Sequence, residues 1–244
     1  MILRCALLGA AALVSNTSPA FADDETRVLG TVEVSGLRPV ELDRATASVS
    51  VLTEDDLAVR LSPNPADQLR AVPGVAVSRN GGAGGLTQVR LRGAEANHTL
   101  VLFDGIEISD PVNGETDFGL LTALPVGSIE VLRGAASSIY GSDAIGGVVS
   151  ISGEGAEGLT GRAEAGSFGT ARGEIGWRGE AFGAALSGLT TDGIDTAGTG
   201  GEKDGSEAYS GLVTGRFDLG TDWSLSLAGL ARRADSDFDT DTDF

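Results

Sequence analysis

Apolar and polar positions alternate along the last third of the chain. In AYSGLVTGRFDLG, the odd positions from Tyr209 to Leu219 are apolar or glycine, and the even positions from Ser210 to Asp218 are polar except Leu212. A period of two residues predicts β-strands with one apolar and one polar face. We predict five such strands, at about residues 159–167, 169–178, 181–190, 208–219 and 222–233.

These five strands have the length and connections of membrane-spanning β-strands. Most are about ten residues long, as a tilted strand must be to cross a bilayer. One long connection joins the third and fourth strands, and aromatic residues lie near strand ends, at Phe168, Trp177, Phe182, Phe217 and Trp223. The pattern leaves one alternative open, a water-soluble antiparallel sheet with a single solvent-exposed face.

The middle of the chain mixes helix and strand patterns. Residues 48–52 predict a strand, and Thr53 predicts the N-cap of a helix with an acidic first turn. A second helix is predicted at about residues 65–71, ended by Pro73 and Gly74. Further strands are predicted at residues 75–78, 88–92, 99–103, 129–133 and 148–151. We therefore expect a small α+β domain with its own core.

The first 22 residues have the pattern of a secretory signal peptide. Arg4 precedes an apolar run, and Ala-Phe-Ala precedes Asp23, before which we expect cleavage. The run is too short for a transmembrane helix. The only cysteine, Cys5, lies inside this segment, so the mature protein can form no disulfide.

Composition argues against several classes of function. The formal net charge of −18 opposes binding to nucleic acid, which depends on phosphate neutralisation. The only histidine, His98, stands in AEANHTL without a cysteine or a paired serine signature, so we expect no enzyme and no required cofactor.

One segment combines strand-like ends with a middle of small residues. This segment, IEVLRGAASSIYGSDAIGGVVSI at residues 129–151, resembles the signature of the plug domain of TonB-dependent outer-membrane receptors. VPGV at 72–75, VRLRG at 89–93 and VLFDGIEISDP at 101–111 resemble that domain in the same order. The resemblance implies an α+β plug domain followed by antiparallel transmembrane β-barrel strands, in a family whose full barrel has 22 strands.

The resemblance also implies a domain organisation. It divides the chain into a signal peptide (1–22), a TonB box with its linker (23–40), a plug domain (41–153) and about five barrel strands with outer loops (154–244). Within the plug we expect small residues where the backbone passes close to the barrel wall. These residues are Gly134, Ala135, Ala136, Gly146 and Gly147.

Three sets of site residues follow from the resemblance. The TonB box, which would add as a strand to the partner TonB, is Thr31, Val32, Glu33, Val34 and Ser35. The arginines that would dock the plug on barrel carboxylates are Arg90, Arg92 and Arg133. The substrate-facing plug loop would present Asp110, Pro111, Asn113, Asp117 and Phe118.

Within the family the chain is most similar to the cobalamin (vitamin B12) receptors. That similarity implies calcium in the outer loops, with Asp195, Asp204 and Asp239 as ligands, and clustered carboxylates suit calcium chemically. Acidic outer loops that are only solvated remain the alternative. The implied partners are TonB with its inner-membrane energising complex, outer-membrane lipid and a small-molecule cargo, in a Gram-negative outer membrane.

Two further alternatives stay open. The cargo could be a siderophore carried by the same transport cycle. Five strands cannot close around a plug, since the smallest membrane barrels have about eight. We therefore expect the chain to be a fragment of a longer receptor, or else a plug that acts alone as a periplasmic binding protein.

Overall fold

The computed structural model describes residues 11–15, 31–32, 40–41, 48–60, 62–195, 203–220 and 223–237. Three short strands come first: β1 (Ala11–Ser15), β2 (Thr31–Val32) and β3 (Val40–Glu41). No helix among these described ranges is long and apolar enough to cross a membrane. We use plug for residues 48–153 and wall for the five long strands that follow them.

The plug has three short helices and seven strands. The helices are α1 (Glu54–Arg60), α2 (Pro65–Leu69) and α3 (Ser137–Tyr140). The strands are β4 (Ser48–Leu52), β5 (Val75–Arg79), β6 (Thr87–Leu91), β7 (Thr99–Phe103), β8 (Ile106–Glu107), β9 (Ser128–Arg133) and β10 (Gly147–Ser152). Two 3₁₀ turns lie at Ala96–His98 and Phe118–Leu121.

Local sequence signals explain the first two helices. Thr53 and Asp56 bond reciprocally at the start of α1, with Thr53 N donating to Asp56 Oδ2 at 3.0 Å and Asp56 N donating to Thr53 Oγ1 at 3.4 Å. Asn64 caps α2 by accepting the Ala66 amide at 2.8 Å, and Pro65 occupies the first helical turn. Both helix starts agree with the prediction.

Most of the plug strands form one mixed sheet in the order β4-β9-β10-β7-β8. The β10–β7 pair is parallel and the other pairs are antiparallel, while β5 and β6 form a separate hairpin. The core between these elements contains fully buried side chains, the largest being Phe118, Leu69, Leu91, Leu124, Ile129 and Ile151. β4 lies at one edge of this sheet.

The wall is an antiparallel sheet of consecutive strands. It comprises β11 (Gly158–Ala165), β12 (Ala171–Arg178), β13 (Phe182–Thr191), β14 (Ser206–Asp218) and β15 (Trp223–Ser236), each paired with the next. All five lie where the alternation predicts them. β1, within the predicted signal peptide, pairs antiparallel with β15 at the free edge, from Ala11 opposite Leu227 to Ser15 opposite Trp223.

The wall has its polar face against the plug and its apolar face outward. On β14, Ser206, Ser210 and Thr214 are buried, whereas Tyr209 and Val213 are exposed. The outward face of the neighbouring strands is equally apolar, with exposed side chains at Leu159, Ile175, Trp177, Phe182, Leu186, Trp223 and Leu227. A soluble sheet with one wet face would show the opposite arrangement. The observed polarity is the one that a membrane barrel has.

Candidate functional site

The plug and the wall meet through wall side chains that donate to plug main-chain carbonyls. On β13 the Ser187 hydroxyl donates to the carbonyl of Ala123. On β15 Arg232 Nη2 donates to Thr122 O at 3.5 Å, and on β12 Arg172 Nη1 donates to Ser62 O at 3.5 Å. Because the acceptors are backbone atoms, this contact between plug and wall depends on the path of the plug main chain more than on the plug side chains.

The plug residues that receive these bonds are themselves tied together. Asn64 Nδ2 donates to Phe118 O at 2.8 Å and to Thr122 Oγ1 at 3.2 Å, and Ala123 N donates to Pro63 O at 3.0 Å. Ala123 is fully buried with a φ of 60°, a left-handed conformation that is unfavourable for alanine. Its side chain belongs to a small apolar cluster with two wall residues, Leu189 and Ala208. We call residues 62–64 and 122–123 the wall seat.

Four charges alternate in sign on the inner face of β11 and β12. Arg162 lies opposite Glu174, and Glu164 lies opposite Arg172. Arg172 Nη2 is 3.0 Å from Glu174 Oε2, and its Nη1 is 3.7 Å from Glu164 Oε1. The Arg172 side chain is buried, so this cluster fixes the guanidinium that reaches Ser62.

The chain leaves the plug and enters the wall through a second set of contacts. Arg178 Nη2 is 2.9 Å from Glu154 Oε2, and its Nη1 donates to Gly155 O at 3.0 Å. Glu54 accepts the Ala156 amide at 2.7 Å. At Gly153 a β-carbon would lie 2.2 Å from Leu212 Cδ2, so a larger residue between the plug and β14 would have to displace the Leu212 side chain.

Asp104 stabilises this exit from inside the plug. Its Oδ1 accepts from Gly153 N at 3.0 Å and from Ser152 Oγ at 3.3 Å, while its Oδ2 is buried without a hydrogen-bond partner. Burial raises the pKa of the Asp104 carboxyl to about 6; the Gly153 amide opposes the rise and the nearby Glu154 adds to it.

The three predicted docking arginines have partners within the plug. Arg133 holds the edge strand β4, donating from Nε to Ser48 O (3.4 Å) and from Nη2 to Val49 O (3.4 Å) and Ser50 Oγ (2.8 Å). Its Nη1 also donates to Pro73 O at 2.7 Å. Arg90 bonds to Ser78 and Gln88, and Arg92 has a φ of 51° with its amide donating to Gly74 O.

None of these three arginines pairs with a carboxylate of the described wall strands, so docking on a barrel carboxylate stays a prediction. The arginines that reach across the interface are instead Arg172, Arg178 and Arg232, which sequence reasoning missed. Their signal is present in the sequence, because each stands at an inward polar position of the alternating pattern.

The small residues predicted to face the barrel wall are close to other plug residues. A β-carbon at Gly147 would lie 2.1 Å from Leu132 O, and one at Gly146 would lie 2.9 Å from the Ala94 Cβ. Ala136 is buried in a cluster of plug residues. In the described residues, the tight approach of plug to wall occurs instead at Gly153 and at Gly84, where a β-carbon would lie 2.1 Å from Ser236 Oγ.

The predicted substrate-facing loop is only partly exposed. Asp110, Pro111 and Asn113 are exposed, and Asp110 Oδ1 accepts the amides of Val112 (2.7 Å) and Asn113 (3.3 Å). This self-bonded turn presents Val112, the most exposed large apolar side chain of the described chain, at 93%. Val112 is absent from the predicted set.

Two members of the predicted loop do not face outward. Phe118 is 1% exposed and belongs to the plug core, so its prediction as a substrate-facing residue is wrong. Asp117 Oδ1 accepts the amides of Thr87 at 2.9 Å and Gly119 at 2.8 Å. Asp117 therefore starts the 3₁₀ turn and holds β6, a structural role that its predicted position did not reveal.

The remaining predicted residues lie at the margins of the described structure. Thr31 and Val32 form β2, which pairs with Val40 and Glu41 of β3, whereas Glu33, Val34 and Ser35 lie outside the described residues. Asp204 is buried and Asp195 is partly buried, near the bases of the outer loop, and Asp239 lies outside the described residues. Within the described ranges no group of three or more His, Cys, Asp or Glu could hold a metal ion.

Comparison with known proteins identifies the plug. Residues 41–148 match the family model of the TonB-dependent receptor plug domain. The vitamin B12 transporter BtuB of Vibrio vulnificus (strain YJ016) is 39% identical over 128 residues, which are 52% of this chain and 21% of that protein. Residues 41–148 are therefore a plug domain of the TonB-dependent receptors, and the resemblance to this family is confirmed.

Solved structures agree on the fold. The siderophore receptor PirA of Acinetobacter baumannii matches 86% of this chain and 34% of its own, with a TM-score of 0.59 at 24% identity. The ferric yersiniabactin uptake receptor FyuA of Yersinia pestis matches 78% of this chain and 32% of its own, with a TM-score of 0.58 at 20% identity. The fold is thus a plug followed by part of an antiparallel barrel, and the chain spans about a fifth of the curated relative's length.

Proposed function

We propose that this chain is the plug and first wall of an outer-membrane receptor that imports a scarce nutrient through a TonB-driven rearrangement of the plug. The observation that carries the proposal is the polarity of the wall. Its apolar side chains are exposed on one face, and its buried polar side chains face a matched plug domain. That arrangement suits a lipid-facing barrel around a plug and no water-soluble sheet.

The energising partner in this proposal is TonB. Residues 31–35 would add as an extended strand to an edge of that partner, with main-chain hydrogen bonds providing the grip. The proposal is supported by the extended conformation of Thr31 and Val32, which pair with β3. A pull on the arm would reach the plug first at β4, the edge strand that Arg133 holds.

The cargo we propose is cobalamin. Support comes from the similarity to a vitamin B12 transporter at 39% identity over half of this chain. The self-bonded turn of Asp110, Val112 and Asn113 would present one apolar and several polar groups to the cargo. A siderophore is the second candidate, because structural relatives such as PirA are siderophore receptors.

Calcium in the outer loops is part of the cobalamin proposal. Asp195, Asp204 and Asp239 would supply oxygen ligands from the long loop and the acidic segment after β15. The two ends of the long loop lie together, since Asp204 N donates to Ile194 O at 3.0 Å. We place the receptor, with its signal peptide removed, in a Gram-negative outer membrane.

The direct test is equilibrium binding of cyanocobalamin to the receptor purified from outer membranes, with calcium and with a chelator. The proposal predicts saturable binding that weakens when calcium is removed. Binding of a ferric siderophore and not cyanocobalamin would favour the second cargo. Absence of the protein from the outer membrane would contradict the receptor assignment itself.

A further inference from the structure

The outward face of the wall contains a groove of about 820 Å³. It crosses β11 to β15 and is lined mainly by apolar and small residues. Arg162, Glu174 and Arg232 border it from inward-facing positions of their strands, and Arg233 is the charged lining residue that faces outward. Its outward-facing lining includes Gly173, Gly188, Gly211, Leu186, Tyr209 and Arg233. Ligand sites in proteins commonly enclose about 300–1,000 Å³, so the groove is large enough for a substantial apolar group.

Glycines on adjacent strands create the groove. No atom lies within 4 Å of the position that a β-carbon of Gly173 would occupy, so the space above β12 is open. The Tyr209 ring lies across Gly188, 3.1 Å from its β-carbon position, and Leu186 reaches over Gly211, 3.2 Å from its β-carbon position. The large side chains therefore lean over their glycine neighbours and leave an apolar channel beside them.

The groove lies near the outer end of the apolar band. Gly173, Gly188, Tyr209 and Arg233 are consecutive cross-strand partners and so share one level of the sheet. Phe217 lies eight residues further along β14, about 26 Å along the strand at 3.3 Å per residue, which at a strand tilt of about 40° is a height of roughly 20 Å, most of the apolar band of about 25 Å in a membrane barrel. Tyr209 and Arg233 thus stand where one lipid–water interface would be.

Arg233 is suited to a phosphate at that level. Its side chain is 73% exposed, and its Nε is 2.9 Å from Asp235 Oδ2. Its two terminal nitrogens make no hydrogen bond with any described residue. The other outward charges nearby are Asp235 and Glu207, which lie opposite each other one level further out. A guanidinium whose two terminal amino groups are free can form two parallel hydrogen bonds to a phosphate, a common mode of phosphate binding in proteins.

We propose that this groove binds an acyl chain of a phosphorylated membrane lipid whose phosphate contacts the Arg233 guanidinium. The inference rests on the proposed function, since it requires this face of the wall to meet lipid. A side chain at position 173 would then occupy the space of the bound acyl chain. Arg233 would favour lipids that place a phosphate at the lipid–water interface.

The test measures lipid that co-purifies with the protein. The receptor is extracted from outer membranes in a mild detergent, and the phosphorylated lipid retained per molecule is counted by native mass spectrometry. Gly173→Leu fills the groove and should reduce retention about tenfold, equivalent to losing roughly two methylene contacts. Arg233→Gln should reduce retention about fivefold, as expected for one interfacial arginine.

Gly161→Leu is the matched control. Gly161 lies on the same outward face, on β11, and the nearest atom to its β-carbon position is 3.9 Å away, but it does not line the groove. Its retention of lipid should equal that of the unmodified protein. The lipid proposal would be overturned if all three variants retained equal amounts of phosphorylated lipid. If those variants also reached the outer membrane and bound cargo, the receptor function would still hold. Failure to reach the outer membrane would overturn both.

Discussion

The Ser187 hydroxyl on β13 donates a hydrogen bond to the main-chain carbonyl of Ala123, the residue with a left-handed φ at the centre of the wall seat. The bond joins a side chain of the predicted barrel to the backbone of the plug across 64 residues of sequence. Among the described residues, Arg172 and Arg232 make similar donations to plug carbonyls. The position of the plug against the wall therefore depends on main-chain carbonyls of the plug that point toward wall side chains.

Removing the donor should loosen this seat. Ser187→Ala leaves the Ala123 carbonyl buried without its partner, which costs about 1–2 kcal/mol. Hydrogen exchange at the Ala123 and Leu124 amides, measured by mass spectrometry on the purified receptor, should accelerate accordingly. Thr190→Ala is the matched control, because Thr190 is an outward hydroxyl on the same strand. Equal acceleration in both variants would show that Ser187 does not hold the seat.

The left-handed conformation of Ala123 predicts that glycine is tolerated better than valine at this position. Ala123→Gly relieves backbone strain of about 1–2 kcal/mol but removes a buried methyl group, so the free energy of unfolding should change by less than about 1 kcal/mol. Ala123→Val introduces a β-branched side chain at positive φ and should destabilise the plug by more than about 2 kcal/mol. Denaturant titration of the plug compares them. A valine variant as stable as the glycine variant would contradict the strained conformation.

Asp104 predicts a pH dependence of plug stability. Its pKa is raised in the folded protein to about 6 from 3.8, so the folded state binds the proton more tightly than the unfolded state. Its contribution to stability is greatest below about pH 4 and is lost as the pH rises to about 6. Asp104→Asn should therefore stabilise the plug at pH 7 by up to about 3 kcal/mol and flatten this part of the profile.

Asparagine can still accept the Gly153 amide, whereas Asp104→Ala removes the acceptor and serves as the comparison. Unfolding by denaturant between pH 4 and pH 7 measures both variants. An Asp104→Asn profile that keeps the slope of the unmodified protein between these values would assign the pH dependence to other groups.

Arg133 predicts the behaviour of the edge strand. Arg133→Gln removes its bonds to Ser48 and Ser50, so the free energy of opening β4 should fall by about 1–3 kcal/mol. Hydrogen exchange of residues 48–52 should accelerate while the wall seat at Ala123 is unchanged. Arg90→Gln, which alters contacts only with Ser78 and Gln88, should leave β4 protected. If the amides of β4 stay protected from exchange in the Arg133 variant, Arg133 does not hold this edge strand.

The strands of the wall could be predicted because their sequence repeats every two residues. The period locates β14, but it does not say which face meets the plug, and the same letters would suit a soluble sheet with the opposite orientation. The plug decides the matter, since it supplies the carbonyls that Ser187 and Arg232 reach. The alternation marks Ser187 and Arg232 as polar positions on one face, but their acceptors lie more than 60 residues earlier, and no local pattern identifies those acceptors.

The helices and strands of the plug could be predicted from the sequence, whereas the contacts of its site residues could be predicted less well. Strands such as β7 follow from short apolar runs between turn residues, but the parallel pairing of β7 with β10 is non-local. Phe118 follows the polar residues of the predicted loop but begins the apolar run FGLLTAL, and the structure places it in the core with Leu121 and Leu124 of that run. Arg133 lies at the end of β9, as predicted, yet its partners come from an edge strand more than 80 residues earlier.

The central claim is that alternate residues of the wall face lipid while their neighbours face the plug. Within the given 244 residues the only cysteine, Cys5, lies in the predicted signal peptide. Single cysteines are placed along β14 of a receptor from which any other cysteine has been removed. A nitroxide label at each position in reconstituted membranes reports its exposure to lipid-dissolved oxygen. Val213→Cys and Phe217→Cys should be accessible to oxygen, and Ser210→Cys and Thr214→Cys should not. Equal accessibility at all four positions, or the reverse pattern, would contradict the account.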